Sequence, residues 1–318
     1  PLMRNEKVIE APPDRDYLVK RTTAEVIAFI ERSKDQPFFA YIPHTMPGST
    51  THPFSSPAFR GKSKNGDYGD SVEELDWSTG EIMAALKRLG LDDNTLVVFS
   101  SDNGPFLSYG EHAGSAGPLR QGKLTTFEGG MRVPCLVRWP GKVPAGRVSD
   151  APFATMDLHV TFAALAGATL TDVKRDGTDL TPLLLGQPGA KGRDEFWFYS
   201  GEELHAVRRG DWKLHVPHDY LVVAAERGLG GKPSNYGKMK PESIELSGIR
   251  GIASRHGYRV EKTELALYNL TTDPSELRNV AADHPTIVAR LQAEVAAARA
   301  DLGDALTKTP GAHIRPAG

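Results

Sequence analysis

Asp102 and Asn103 stand side by side directly after an unbroken apolar run, Leu96-Val97-Val98-Phe99, within Ser100-Ser101-Asp102-Asn103-Gly104-Pro105. A carboxylate and a carboxamide presented together at a strand end offer the oxygen ligands that a hard divalent cation takes. The same residue types form ordinary turns, so a plain strand-to-loop turn is the competing reading. His44 follows a second apolar run, Phe38-Phe39-Ala40-Tyr41-Ile42, in Pro43-His44-Thr45. His112 and Lys123 lie in residues 106–130, a glycine-rich stretch with little apolar periodicity. A stretch of that length without regular structure is uncommon inside a compact domain unless it is functional.

If the two apolar runs are parallel neighbours, their C-terminal ends share one rim, where open α/β sheets bind ligands. A cation site, a lysine and a histidine meeting there suit transfer of a group with negative oxygens. The cation offsets developing charge, the ammonium is a compact counter-charge, and the imidazole protonates a leaving alkoxide near neutral pH.

The elements that must hold these residues read as alternating helix and strand. Residues 1–15 read as extended. Residues 16–33 form a helix with Leu18, Val26, Ile27 and Ile30 inward, and residues 48–66 run over the surface. Residues 70–89 form the clearest helix, with Val72, Leu75, Thr79, Ile82, Leu86 and Leu89 on one face and Gly90 as its C-cap. Residues 133–139 read as a buried strand, and 155–166 as a helix with Leu158, Phe162 and Leu165 inward. Beyond about residue 190 the spacing shortens. Strands are expected over 195–199, 204–208, 212–216 and 265–270, with a hairpin at Arg209-Gly210-Asp211 and an Ala-rich helix over 285–302. Residues 217–262 carry no clear pattern.

Composition narrows the class. The 318 residues are 39% hydrophobic and 25% charged, as in globular domains. A net charge of −2 gives no basis for a nucleic-acid or anionic-membrane partner. The lone Cys135 excludes an intrachain disulfide and a cysteine-rich zinc site.

Read in order, several segments resemble the type I sulfatases, the arylsulfatase-like branch of the alkaline phosphatase superfamily. They are Pro43-His44-Thr45, Ser101-Asp102-Asn103-Gly104-Pro105, the run from Gly122-Lys123-Leu124-Thr125-Thr126 through Phe127-Glu128-Gly129-Gly130-Met131-Arg132, Trp139-Pro140-Gly141, and Leu267-Tyr268-Asn269-Leu270 with Asp273-Pro274-Ser275-Glu276. The resemblance implies an alkaline-phosphatase-like α/β fold, a mostly parallel sheet flanked by helices, over residues 1–190. A smaller C-terminal α+β subdomain, an antiparallel sheet plus a helix, is expected over residues 191–318. It also implies Asp102 and Asn103 as ligands of Ca²⁺ or another divalent cation. Lys123 contacts the sulfate and its leaving oxygen, His44 binds sulfate and serves as proton donor, and His112 either lines the pocket or holds its loop together. The implied substrate is a sulfate-ester small molecule or a sulfated carbohydrate, and the implied location is periplasmic, secreted or lysosomal.

The chain departs from the family's pattern in several respects: the formylglycine motif, the paired aspartates that complete the metal site and the second Lys/His pair are missing, and the stretch after His44 differs. The family's nucleophile is a formylglycine made in a Cys/Ser-x-Pro-x-Arg motif, and no such motif occurs in these 318 residues. Cys135, in Pro134-Cys135-Leu136, is not that residue. The expectation is therefore the C-terminal two-thirds of a sulfatase, inactive alone, with the preceding segment as a partner. Two alternatives stay open: phosphodiester or phosphonate hydrolysis on the same rim, and a non-catalytic paralogue. Residues 46–53 read as a short insertion that leaves the place of His52 open. Arg120 is expected to pair with Glu128 or line the cleft, Asp76 to be solvated, and His215 and His218 to be structural rather than on a substrate rim.

Overall fold

The computed structural model describes residues 1–48, 52–171, 173–224 and 244–315. Residues 49–51 of the expected insertion and 225–243 of the unpatterned segment lie outside it. The chain forms two compact units, one containing Pro1–Thr95 and Phe106–Gly114, the other Leu96–Pro105 and Ser115–Ala224 together with 244–315.

In the first unit, β1 (Leu2–Arg4) and β2 (Lys7–Glu10) pair antiparallel. Helix α1 (Leu18–Ser33) packs on α2 (Gly66–Arg88). Val19, Ile30, Leu75, Ala85 and Leu86 are buried. The buried face of α2 keeps the expected Leu75 and Leu86 but extends to polar residues and leaves out Val72. Val72 is 40% exposed, while Asp70, Ser71, Glu74 and Ser78 are buried. Local backbone explains this. The Asp70 carboxylate accepts from the amides of Gly61, Lys62 and Ser63 at 2.6, 3.0 and 2.7 Å, and Glu74 accepts from Ser56 N at 2.9 Å. A buried loop needs acceptors for its N–H groups, and these carboxylates supply them.

Residues 38–42 are not a strand. They pair with no other strand among the described residues, and Phe39 and Tyr41 are 70% and 79% exposed. An apolar run alone does not make a strand without a partner edge.

In the second unit, β3 (Val97–Ser100) is followed by the short helix α3 (Glu128–Met131) and then by β4 (Cys135–Arg138), which pairs antiparallel with β3. Phe99 lies opposite Leu136, and both are exposed, at 43% and 68%, so β4 is not the buried strand expected. Helix α4 (Thr155–Leu165) buries Asp157 and Thr161, in place of the expected Leu158, Phe162 and Leu165. Asp157 accepts from the amides of Ala154 and Thr178, both at 2.8 Å, and pairs with Arg193, so it ties the 178–193 segment to the helix. Helix α5 (Thr181–Leu184) follows.

In the C-terminal half, β5 (Glu195–Ser200), β6 (Glu203–Arg209) and β7 (Trp212–His215) precede β8 (His218–Val223), α6 (Ile244–His256), β9 (Tyr258–Thr263) and β10 (Ala266–Asn269). Strands β5, β6, β7 and β10 match the expected ones, and β8, α6 and β9 are added in the stretch that carried no clear pattern. The four-stranded sheet runs β10-β7-β6-β5, and β8 pairs with β9. Helix α7 (Pro285–Leu302) closes one sheet face, burying Leu291, Val295 and Ala298 against Leu204, Val207, Leu214 and Leu267. Every strand pairing among the described residues is antiparallel, so the expected mostly parallel sheet is not among them.

Candidate functional site

The turn after β3 and the loop at 120–131 are stitched together by backbone. Gly104 N donates to the Gly130 carbonyl and Lys123 N to the Pro105 carbonyl, both at 2.9 Å, while Gly129 N donates to the Arg120 carbonyl at 2.8 Å. Glycine is required at these crossings. A β-carbon on Gly104 would overlap the Gly129 carbonyl oxygen, and one on Gly129 would overlap those of Arg120 and Gln121. Backbone carbonyls cannot swing aside as a flexible side chain can. The glycine-rich motif thus presses the lysine-bearing loop directly onto the Asp102-Asn103 turn.

The result is a cavity of about 230 Å³ lined by Asn103, Lys123, Leu124, Thr125, Thr126, Gly130, Met131, Tyr199 and Ser200. Asn103 and Lys123, distant in sequence, therefore share one pocket. Asn103 Nδ2 donates to the Gly104 carbonyl at 2.9 Å, a bond in which its Oδ1 takes no part. Asp102 is exposed beside it in the same turn. These donors are oxygens, as a hard cation requires, but they fall short of the 6–8 that Ca²⁺ takes. Among the described residues no group of three or more His, Cys, Asp or Glu side chains is placed to hold a metal. Tyr199 contributes a wall, not a proton donor. Its hydroxyl donates to the carbonyls of Gly303 at 2.8 Å and Ala298 at 3.2 Å, and burial, with Asp304 nearby, pushes its pKa up to about 12.

Behind the loop lies a fully buried ionic cluster. Lys213 Nζ donates to the Thr126 carbonyl at 2.7 Å, to Glu128 Oε1 at 2.9 Å and to Glu276 Oε1 at 3.0 Å. Glu276 also accepts from Glu128 N at 2.6 Å and from His215 Nε2 at 2.9 Å. Arg120 does not pair with Glu128 and does not line the cleft. It donates to the Glu276 carbonyl at 2.8 Å and to the hydroxyls of Tyr268 and Tyr220 at 3.2 and 3.1 Å, over the face of Phe127. His215 and His218, 0% and 2% exposed, belong to this cluster and not to a rim. The His205 and His218 rings stack at 3.8 Å. Lys213 and Glu276 escape a motif reading. Their only signal is a charged residue inside an apolar strand, Trp212-Lys213-Leu214, and a glutamate after Asp-Pro that reads as a turn.

His44 and His112 belong to the first unit. His44 is half-buried, with Nε2 3.3 Å from Ser78 Oγ. The hydroxyl chain fixes its tautomer. Thr23 gives its hydrogen to the Val19 carbonyl at 2.7 Å, so Ser78 donates to Thr23 at 2.6 Å and must accept from His44 Nε2–H. Burial lowers the His44 pKa. His112 ends a 3₁₀ helix, Leu107–His112, its ring centroid 6.0 Å from that of His52. His52 lines a separate cavity of about 300 Å³ with Asp16, Arg60 and Asp67. Asp76 is exposed. Cys135 is half-buried, and burial pushes its thiol up against the opposing pull of a Ser100 hydrogen bond, which is the reverse of an activated thiolate.

Comparison with known proteins shows the family and the fold. The sulfatase family model matches residues 3–168, and the model for the C-terminal region of aryl-sulfatase matches 191–313. Steryl-sulfatase of Rattus norvegicus is 42% identical over 67% of this chain and 37% of its own length. Arylsulfatase A of Bos taurus is 42% identical over 68% of the chain and 43% of its own length. The chain therefore spans less than half of these relatives. The crystal structure of the PsFucS1 sulfatase from Pseudoalteromonas sp. superposes with a TM-score of 0.71 at 25% identity, over 94% of this chain and 55% of that one, so the fold is that of the alkaline-phosphatase-like α/β hydrolases with a C-terminal antiparallel sheet. No helix among the described residues is long and apolar enough to cross a membrane. The chain belongs to the sulfatase family.

Proposed function

We propose that this chain carries the sulfate-binding part of a sulfuric ester hydrolase site. The observation that supports it is the cavity joining Lys123 to Asn103 through a loop held on the Asp102–Pro105 turn. In the proposed reaction a nucleophile, which these residues do not supply, bonds to sulfur as the bond between sulfur and the ester oxygen breaks; charge builds on that oxygen, and a proton must reach it. The Lys123 ammonium neutralises the non-bridging and leaving oxygens. Asp102 and Asn103 Oδ1 would hold a divalent cation such as Ca²⁺, which supplies Lewis-acid stabilisation of sulfate oxygens when bound. His44 handles the leaving-group proton. Its lowered pKa keeps it neutral near pH 7, so donation strengthens in mild acid. His112 is assigned to substrate contact.

We assign residues 1–190 to the catalytic α/β portion and 191–318 to the C-terminal subdomain, and the substrate to sulfated small molecules or carbohydrates. The setting is periplasmic, secreted or lysosomal. With no formylglycine motif in these 318 residues, they bind sulfate without turning over its esters. Calorimetric titration tests this. Inorganic sulfate should bind the chain and fail to bind Lys123→Ala, and Ca²⁺ should bind weakly and be lost in Asp102→Ala. An absence of saturable sulfate binding, or release of sulfate from 4-nitrophenyl sulfate by the purified chain, overturns the reading.

A further inference from the structure

We infer that Lys213, together with Glu276, is a positioning residue for the sulfate pocket: a buried ionic clamp through which the C-terminal sheet sets the place of Lys123. The inference rests on the proposed sulfate pocket for its ligand, but not for its geometry. Lys213 is 0% exposed, and each of its three N–H donors has an acceptor: the Thr126 carbonyl, Glu128 Oε1 and Glu276 Oε1. Two of those three acceptors belong to the loop that carries Lys123. Glu276, also 0% exposed, grips the same loop from the other side by accepting from Glu128 N. Arg120, at the loop's start, is held by the Glu276 carbonyl. The loop is therefore fastened at 120, 126 and 128, and Lys123 stands inside the fastened span.

An ordinary loop anchor would be apolar. Burying one ammonium between two carboxylates gains little stability over a packed hydrophobic cluster, because desolvation consumes most of the attraction. It does impose direction. A lysine with three fixed acceptors has one position, whereas an apolar contact tolerates sliding. The beneficiary is the part of the loop that must not slide. Thr125 and Thr126 line the cavity with Lys123, and the Gly130 carbonyl receives Gly104 N from the Asp102-Asn103 turn. A shift at 126–128 would therefore reach both the ammonium and the amide wall of the pocket.

The test uses the full 318-residue chain with Lys213→Gln and Glu276→Gln, each read by amide hydrogen exchange and by inorganic sulfate titration. For Lys213→Gln the expected result is roughly ten-fold faster exchange confined to 120–131, with α7 unchanged, and sulfate affinity lower by roughly ten-fold. Glu276→Gln, which keeps an acceptor oxygen, should do the same to a smaller extent. A folded Lys213→Gln protein with unchanged exchange at 120–131 and unchanged affinity overturns the inference. So does faster exchange throughout the second unit in both variants, since the cluster would then support the whole sheet and not the loop. If the unaltered chain binds no sulfate while exchange at 120–131 still rises selectively, the pocket reading fails and the clamp stands.

Discussion

Lys123 and Asn103 face one cavity because Lys123 N donates to the Pro105 carbonyl at 2.9 Å, two residues past the asparagine. That backbone bond, with its neighbour from Gly104 to Gly130, converts a distant lysine and a turn amide into a single site. The expectations below follow from it and from the buried polar contacts around it.

Gly104→Ala should misplace the pocket. The added methyl would overlap the Gly129 carbonyl oxygen, and neither backbone segment can retreat without breaking the Gly104–Gly130 bond. The expected cost is roughly 1–3 kcal/mol, read as a lower urea midpoint, together with weakened sulfate binding. Gly80→Ala, inside α2 where a β-carbon meets nothing within 4 Å, is the control: it should raise the midpoint slightly through helix propensity and leave sulfate binding unchanged.

Acid should destabilise the second unit. Burial holds His205 at about 4 and His215 and His218 at about 3, below the ordinary 6.5. The unfolded chain therefore takes up these protons first as pH falls. Stability is highest above 6.5 and declines from there until the folded histidines protonate near 3. Glu276 acts in the same direction. Burial raises its pKa, but Lys213 and His215 outweigh that and hold it at about 2, so its contribution is lost between 4.5 and about 2. Urea unfolding followed by tryptophan fluorescence should give a lower midpoint at pH 4.5 than at pH 7.5. A flat or rising profile on acidification contradicts the neutral, buried state of the three rings.

Asp157→Asn should loosen α4 and the segment that follows it. The carboxylate accepts from Ala154 N and Thr178 N and pairs with Arg193, whose side chain is only 12% exposed. Removing one partner of a buried pair strands the other, at roughly 3 kcal/mol. Thermal melting should show a clear drop, with sulfate binding to the folded fraction retained.

Ser78→Ala should alter the titration of His44 and not the fold. The hydroxyl accepts the His44 Nε2 hydrogen, and its loss frees the ring to change tautomer. Proton-detected imidazole NMR should show a mixture of tautomers in the variant and one in the parent.

The four-stranded C-terminal sheet was legible because its short apolar runs are closely spaced and bounded by turns, so Arg209-Gly210-Asp211 read directly as a hairpin; β8 and β9, which begin in the unpatterned 217–262 stretch, were not. That Asn103 and Lys123 share a pocket was legible from the ordered motifs of the resemblance and not from the residue types alone, since Asp-Asn-Gly also forms ordinary turns. The helix faces were legible only in part: Ile30, Leu75 and Leu86 are buried as expected. Periodicity assigned Val72 and Leu158 inward, whereas Asp70, Glu74 and Asp157 are buried because nearby loop amides need acceptors, and no apolar count records that demand. Residues 38–42 misled for the converse reason. An apolar run resembles a strand whether or not an edge lies beside it. The Lys213–Glu276 pair stayed hidden because its members are 63 residues apart, the difference of their numbers, and each alone looks like a surface charge.

The most direct measurement is a crystal of this chain grown free of sulfate and soaked in selenate, whose selenium is located by anomalous scattering. The account predicts a peak in the cavity between Lys123 and Asn103, within hydrogen-bond reach of Lys123 Nζ, and its loss in Lys123→Ala. A pocket that stays empty, or a peak there that persists without the lysine, contradicts it.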